Sequence, residues 1–162
     1  MSRVLVVYYS LEGNTQRVAE SLAEATDGDL LALRPRKEIP AQSFLKYPIG
    51  GFQALTGKEP TLHPLDKDPR DYDLLFIGTP VWAGYYTPAL RSFFAQTDLQ
   101  DRAVALFCTH RGGPGRTLGA MRAELGSNRI LGEQDFAQPV DEGDPPPAAW
   151  AREILSRYKK NV

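Results

Sequence analysis

Residues 9–15 could form a cradle for a phosphate group, because they combine hydroxyl, amide and glycine residues directly after an apolar segment. Ser10, Asn14 and Thr15 offer side-chain donors, and Gly13 allows the backbone to fold tightly. A helix that begins here would add free N–H groups and the positive end of its dipole. The segment has no lysine or arginine and lacks the nucleoside triphosphate loop pattern, which argues against a kinase or GTPase. A plain capped helix start remains the alternative.

Residues 78–88 bring three aromatic side chains into one loop: Trp82, Tyr85 and Tyr86. An indole is a good surface for stacking on a flat aromatic ligand. The alternative is that the loop packs onto its own domain, because aromatic side chains are often buried. The residues of this loop do not by themselves decide between the two.

Residues 108–116 contain His110, Arg111 and Arg116 in a glycine-rich loop. The glycines have the wrong spacing and position for a dinucleotide fingerprint. The three basic residues either surround a ligand or are simply solvated, since surface charges usually contribute little. Cys108 is expected to be a buried, inert thiol, and the sequence shows no Cys/His cluster for a metal.

The elements that must position these loops alternate along the chain as strand and helix. The predicted strands are Val4–Tyr8, Leu30–Leu33, Leu74–Ile77, Ala103–Phe107 and a weak one from Ile130 to Phe136. Four helices are predicted from the spacing of apolar residues. The first contains Val18, Leu22 and Ala25 and ends at Gly28, and the second starts at Thr87-Pro88 and contains Leu90, Phe93 and Phe94. The third contains Leu118, Met121 and Leu125, and the last, capped by Asp144, contains Trp150, Ile154, Leu155 and Tyr158. Fully apolar strands between helices predict a doubly wound parallel sheet of order 2-1-3-4-5, with helices on both faces. A ligand would then bind after strands one and three, in the loops at 9–15 and 79–87.

The bulk properties predict one domain over residues 1–162. The net charge of −1 gives no basic footprint for nucleic acid. No apolar run is long enough to span a membrane, and no secretory signal pattern is visible. The one cysteine excludes an intramolecular disulfide, which is typical of a cytoplasmic protein.

Residues Val6–Leu22 resemble the N-terminal signature of the flavodoxin family, with two aliphatics and an aromatic followed by Ser10, Gly13, Thr15, Ala19 and Leu22. The resemblance implies a flavodoxin-like fold and FMN as cofactor. Its 5′-phosphate would be held by the side chains of Ser10, Asn14 and Thr15 and by backbone N–H groups of Leu11, Glu12, Gly13, Asn14 and Thr15. Many flavodoxins have threonine in place of Glu12. Because a carboxylate repels a phosphate, we expect the Glu12 side chain to point to solvent.

The resemblance extends to the second loop and implies that Trp82 stacks on the flavin. The backbone of Pro80, Val81, Trp82, Ala83, Gly84 and Tyr85 would contact the ring edge, which Tyr85 or Tyr86 could shield. Flavodoxins commonly have glycine after the tryptophan, where a peptide flip lets a carbonyl accept a hydrogen bond from the protonated flavin N5. This chain has Ala83 and then Gly84, and a flip is less strained if the positive φ falls on Gly84.

By the same resemblance, Thr109, His110, Arg111, Gly112 and Gly113 would contact the pyrimidine edge of the flavin through backbone groups. Flavodoxins often carry a tyrosine here that covers the second flavin face. This loop is basic instead, and positive charge near the ring would raise the reduction potential. The missing tyrosine could leave one face open to a substrate or a nicotinamide.

Two functions follow from these expectations. The first is an electron carrier that passes electrons between a reductase and an acceptor, as a monomer or weak dimer. The second is an FMN-dependent NAD(P)H or quinone oxidoreductase on the same fold, with a quinone or nicotinamide as partner. A regulatory module that binds FMN, or nothing, is a third possibility. Residues 42–60 form either an irregular helix, from Gln42 to Leu55, or a lid with Tyr47 or Phe52 over the cofactor.

Overall fold

The central element of the computed structural model, which describes residues 2–37, 59–138 and 146–162, is a parallel sheet. Its strands are β1 (Val4–Tyr8), β2 (Asp29–Ala32), β3 (Leu74–Pro80), β4 (Ala103–His110) and β5 (Arg129–Ala137). Their order is β2-β1-β3-β4-β5, which confirms the predicted topology. The order reverses between β1 and β3, so the carboxyl ends of these two strands open onto a crevice.

Apolar runs account for the three central strands, because each is buried along its length between two layers of helices. β3 and β4 continue three residues beyond the predicted ends. There Thr79 pairs with Cys108 and Pro80 with Thr109. These residues were predicted to lie in loops, but they pair as parts of the two strands at the carboxyl end of the sheet, where the ligand is expected.

In the described parts of the chain, four helices cover the sheet: α1 (Asn14–Thr26), α2 (Pro88–Gln96), α3 (Thr117–Glu124) and α4 (Pro147–Lys160), with a 3₁₀ turn at Pro69–Asp71. α1 and α4 pack on one face through Leu22 and Ile154, and α2 packs on the other through Phe93. Both layers bury fully apolar side chains, which supplies the main stabilising term.

The helix boundaries differ from the prediction in two places. At the end of α1, the left-handed residue is Asp27, with φ 50°, while the Gly28 N–H donates to the Ala23 carbonyl at 2.9 Å. α2 begins at Pro88 behind Thr87, as predicted. At the start of α4, Pro146 occupies the N-cap position. The predicted cap, Asp144, lies outside the described residues, as do Tyr47, Phe52 and the predicted helix from Gln42 to Leu55.

β5 contains a bulge beside α4. The pairing with β4 skips Leu131, since Val104 pairs with Ile130 and Ala105 with Gly132. Arg157 of α4 donates from its guanidinium to the Leu131 carbonyl at 2.9 Å. A Cβ on Gly132 would lie 2.6 Å from Ile154 Cδ1, so glycine lets the strand pass closely under α4. Across the three described ranges, no helix is long and apolar enough to cross a membrane.

Candidate functional site

A cleft of about 320 Å³ lies at the carboxyl ends of β1, β3 and β4. All three loops singled out from the sequence contribute to it. Its lining consists of Ser10, Leu11, Glu12, Asn14, Thr15, Pro80, Val81, Trp82, Ala83, Thr109, His110, Arg111 and Gln138. Five residues predicted as cofactor contacts are not part of this lining: Gly13, Gly84, Tyr85, Gly112 and Gly113.

The first loop ends in an uncapped helix N-terminus. Gly13 takes φ 96° at the N-cap of α1 and has no side chain that could satisfy the N–H groups of the first turn. These groups have no partner within the helix, so they can bind an anion. The Gly13 N–H itself donates to Ser10 Oγ at 3.1 Å, and this internal bond makes it unsuited to the role predicted for it. Ser10 keeps its hydroxyl proton for a ligand.

Thr15 and Thr109 connect the first and third loops. Their Oγ1 atoms lie 2.8 Å apart, and both side chains are buried. In such a pair one hydroxyl donates and the other accepts, so the accepting hydroxyl can still donate to a ligand. The pair therefore fixes two walls of the cleft and keeps one donor available.

The Glu12 side chain is not directed to solvent, so that prediction is wrong. Glu12 lines the cleft and is 27% exposed, and its Oε2 lies 3.6 Å from a guanidinium nitrogen of Arg111. Arg111 comes from the third loop and is 69% exposed. Because Arg111 is distant along the chain, the sequence neighbours of Glu12 could not indicate this ion pair.

The second loop is closed at its base by two threonines. The Thr87 N–H donates to Thr79 Oγ1 at 3.1 Å, and the two hydroxyls lie 3.1 Å apart. Above them, Trp82 packs edge to face against Tyr9, with ring centroids 5.7 Å apart and an interplanar angle of 85°. Tyr9 is buried, so it fixes the orientation of the indole that lines the cleft.

Ala83 and Gly84 form the two central residues of a tight turn. The N–H and C=O groups of Trp82 and Tyr85 exchange hydrogen bonds at 2.9 and 3.0 Å. Both central residues have positive φ, 52° for Ala83 and 72° for Gly84, which defines a type I′ turn. The positive φ expected for Gly84 is present, but Ala83 shares it. The Arg116 N–H donates to the Gly84 carbonyl at 2.8 Å.

Tyr85 and Tyr86 are not among the residues that line the cleft, which does not support the prediction that one of them shields a ring edge. Their rings stack on each other at 4.5 Å, with the Arg91 guanidinium within 5.5 Å of both. Tyr86 is fully buried and donates its hydroxyl to Glu124 at 3.0 Å. Burial raises the pKa of Tyr86 well above its ordinary value.

His110 is held at both ring nitrogens. The Gly113 N–H donates to Nδ1 at 2.9 Å, and Nε2 lies 2.7 Å from Asp135 Oδ2. Because Nδ1 accepts from the Gly113 N–H, Nε2 is the ring nitrogen that can donate to Asp135. His110 therefore supports the third loop through both of its ring nitrogens. Arg111 is the cationic side chain that lines the cleft, and it faces Glu12.

Gln138 belongs to the lining although sequence reasoning missed it. It follows the last strand, β5, whose apolar pattern is weak and gave no reason to examine its end. Its backbone N–H donates to the His110 carbonyl at 2.7 Å. Its side-chain Nε2 is buried and has no hydrogen-bond partner among the residues that the structure describes.

Cys108 is buried beneath the third loop, as predicted. Burial, assisted by the nearby Asp135 carboxylate, raises the pKa of its thiol from 9.0 to about 12. Within residues 2–37, 59–138 and 146–162, no group of His, Cys, Asp and Glu side chains could hold a metal ion.

No protein-family model matches the chain. Several solved structures are similar to it. A flavoprotein from Lactobacillus acidophilus NCFM, solved in complex with FMN, is 25% identical, with a TM-score of 0.71 over 83% of this chain and 93% of that one. A flavodoxin, WrbA-like protein from Agrobacterium tumefaciens is 18% identical over all of both chains, with a TM-score of 0.68. Two-electron reduced flavodoxin from Megasphaera elsdenii is 15% identical over 94% and 98%, with a TM-score of 0.61.

Strand order, helix layers and these similarities together define the fold of the molecule, which is the flavodoxin-like α/β fold. Its cleft lies where the strand order reverses, which is where ligands bind in open parallel sheets.

Proposed function

We propose that residues 1–162 act as one domain that binds FMN non-covalently and carries electrons between a reductase and an acceptor protein. The observation that supports this most directly is the cleft itself. It joins an uncapped helix N-terminus to an indole surface within one cavity. FMN has the matching chemistry, since it ends in a phosphate and carries a flat aromatic ring. The bound flavin would supply the electron chemistry.

The phosphate end of the cleft is built from neutral donors. The free N–H groups in the first turn of α1, the Ser10 hydroxyl and the Thr15–Thr109 pair all lie at this end. Together with the helix dipole they favour a dianion without a lysine. Arg111 adds a cation to the lining of the cleft, where it forms an ion pair with Glu12.

The ring end is formed by Trp82 and by the apolar side chains of Leu11, Val81 and Ala83. Aromatic rings prefer offset or edge-to-face contacts, and Tyr9 holds the indole so that it can offer one. The similar Lactobacillus acidophilus flavoprotein was solved with FMN, and this supports the same cofactor here.

The size of the cleft supports one bound cofactor. Its volume of about 320 Å³ lies at the lower end of the usual range for ligand pockets, roughly 300–1,000 Å³. A cavity of this volume can hold one cofactor. Electrons would then enter and leave through the exposed ring edge, on contact with protein partners in the cytoplasm.

The turn at Ala83–Gly84 supports a second candidate, an FMN-dependent NAD(P)H or quinone oxidoreductase. A flip of the central peptide converts a type I′ turn into type II′, which requires glycine at the first central position. That position is Ala83. The flip is therefore costly in this chain, which favours transfer of electrons in pairs. The third loop also has no tyrosine, tryptophan or phenylalanine to cover the second ring face.

Titration with FMN followed by stepwise anaerobic reduction tests both candidates. We expect the protein to bind FMN tightly, with quenching of flavin fluorescence. Accumulation of a blue one-electron-reduced state midway supports the carrier. Direct passage from yellow to colourless, with turnover of NAD(P)H and a quinone, supports the oxidoreductase. Failure to bind FMN would refute both.

A further inference from the structure

We propose that Gln138 recognises the polar edge of the bound ring, donating a hydrogen bond from its side-chain Nε2 to a ring carbonyl oxygen. This inference rests on the proposed binding of FMN. It adds a residue that follows β5 to a site that the sequence placed on the loops after β1, β3 and β4.

A backbone hydrogen bond holds Gln138 at the wall of the cleft. It directly follows β5, and its backbone N–H donates to the His110 carbonyl at 2.7 Å. His110 is fixed in turn by Asp135 and by the Gly113 N–H. The backbone of Gln138 is thus tied to the end of β4, and its side chain lines the cavity.

The amide nitrogen of Gln138 lacks a partner in the described part of the chain. Nε2 is buried, and neither a backbone carbonyl nor a side-chain acceptor of the described residues accepts from it. A buried donor without a partner costs about 1–3 kcal/mol. Buried polar groups of this kind are rare in folded proteins, and one that belongs to a residue lining a cavity indicates an acceptor on the ligand.

The chemical groups of the isoalloxazine ring determine which part of the ligand can accept a hydrogen bond from Gln138. One end of the isoalloxazine carries two carbonyl groups and an imide N–H, and the other end carries only methyl groups. A glutamine amide offers two donors and one acceptor, so it can pair with the carbonyl and imide groups. With the phosphate on α1 and the ring against Trp82, the carbonyl end is the part that can satisfy a donor at the end of β5.

Equilibrium titrations of Gln138→Met with FMN and with lumiflavin test this assignment. Lumiflavin keeps the ring and replaces the phosphate-bearing chain with a methyl group. We expect Kd to rise roughly fivefold for both ligands, the size of one neutral hydrogen bond. Gln134→Met is the matched control, because Gln134 lies on β5, donates to the Asp135 carbonyl and does not line the cleft. It should bind both ligands as the wild type does.

The remaining outcomes overturn the proposal in distinguishable ways. Unchanged affinity of Gln138→Met for FMN refutes the contact. A loss for FMN without a loss for lumiflavin places Gln138 on the chain of the cofactor and refutes recognition of the ring. Absence of FMN binding by the wild type refutes the proposed function and this inference with it.

Two further measurements exclude an effect on folding. Gln138→Glu keeps the shape of the side chain but has no amide donor, so it should lose at least as much affinity as Gln138→Met. With FMN labelled with ¹³C at both ring carbonyls, Gln138→Met should move one signal towards its value in an apolar solvent. Two unmoved signals would contradict the proposal even if affinity fell.

Discussion

At the scale of single residues, the hydroxyl pair of Thr15 and Thr109 is the most localised link between two loops of the cleft. Thr15→Val leaves the Thr109 hydroxyl buried without its partner, and Thr109→Val does the reverse. We expect each variant to lower the free energy of unfolding by about 1–2 kcal/mol. The double variant should cost less than the sum of the two, because it leaves no orphaned hydroxyl. Urea unfolding of the cofactor-free protein measures all three.

Thr117→Val is a matched control for this cycle. Thr117 is fully buried, but its Oγ1 has no hydrogen-bond partner within the described ranges. Removal of that hydroxyl should therefore leave stability unchanged or raise it. Strict additivity of Thr15→Val and Thr109→Val would show that the two hydroxyls do not interact.

Ala83 is the residue that decides how freely the second loop can rearrange. Ala83→Gly should relieve about 1 kcal/mol of left-handed strain, and the extra freedom of the unfolded chain should offset most of it. Stability should change little, whereas the central peptide of the turn can now flip. We expect a larger maximum of the one-electron-reduced flavin during stepwise reduction, read from the visible spectrum. The same substitution in the first turn of α4, Ala149→Gly, should leave that maximum unchanged, and no increase in Ala83→Gly would contradict the argument.

The residues that the sequence placed correctly at the cleft share one property: local chemistry determines their position. Ser10 and Asn14 flank a helix start, and Trp82 follows the end of a strand. Glu12 and Tyr86 differ from the expectation because their side chains contact Arg111 and Glu124. These partners lie far away along the chain, so no local pattern could reveal them.

At the scale of elements, β3 and β4 pack so closely at Gly78 that there is no room for a side chain at this position. Gly78 pairs with Phe107, and a Cβ on Gly78 would lie 2.0 Å from the Phe107 ring. Both residues are buried in the centre of the sheet. We expect Gly78→Ala to lower the free energy of unfolding by at least about 2 kcal/mol through overpacking. Chemical denaturation measures the loss.

A second substitution separates overpacking from a loss of backbone freedom. Gly78→Ala combined with Phe107→Leu should recover stability relative to Phe107→Leu alone, because the smaller side chain makes room for the methyl group. Gly119→Ala on α3 has its nearest neighbour at 3.6 Å, so it should stabilise the protein by up to about 1 kcal/mol. If Gly78→Ala cost as much in the Phe107→Leu background as in the wild type, the steric explanation would be refuted.

The elements themselves were largely predictable because the central strands are apolar without interruption. β1, β3 and β4 are buried on both faces, and this removes the polar alternation that would leave their limits uncertain. β5 was only weakly visible, since it is a half-buried edge strand that mixes charged and apolar residues. The same weakness hid Gln138, which directly follows it.

At the scale of the whole molecule, the protonation of Cys108 links stability to alkaline pH. The pKa of the thiol is 9.0 in the unfolded chain and about 12 in the folded one. The stability that this difference in pKa contributes to the folded protein is therefore fully present below pH 9 and is lost as pH rises towards 12. By pH 10 the loss should reach about 1.4 kcal/mol, and Cys108→Ala should lack this component. Urea unfolding of the wild type and of Cys108→Ala at pH 8, 9 and 10 measures how steeply the free energy of unfolding falls with pH in each protein.

The same burial predicts how Cys108 reacts. A thiol reagent at pH 8 should modify it only as fast as the protein unfolds, because the thiolate is neither formed nor accessible in the folded state. Rapid modification of the folded protein would contradict both the burial and the raised pKa.

The bulge at Leu131 bears on how copies of the protein behave at high concentration. β5 is a long strand at the rim of the sheet, and such rims can template the addition of a strand from another molecule, which begins aggregation. The bulge at Leu131 bends this edge strand, and the Arg157 guanidinium already donates a hydrogen bond to the Leu131 carbonyl. The interruption beside α4 therefore gives the rim a poor surface for recruiting a sixth strand.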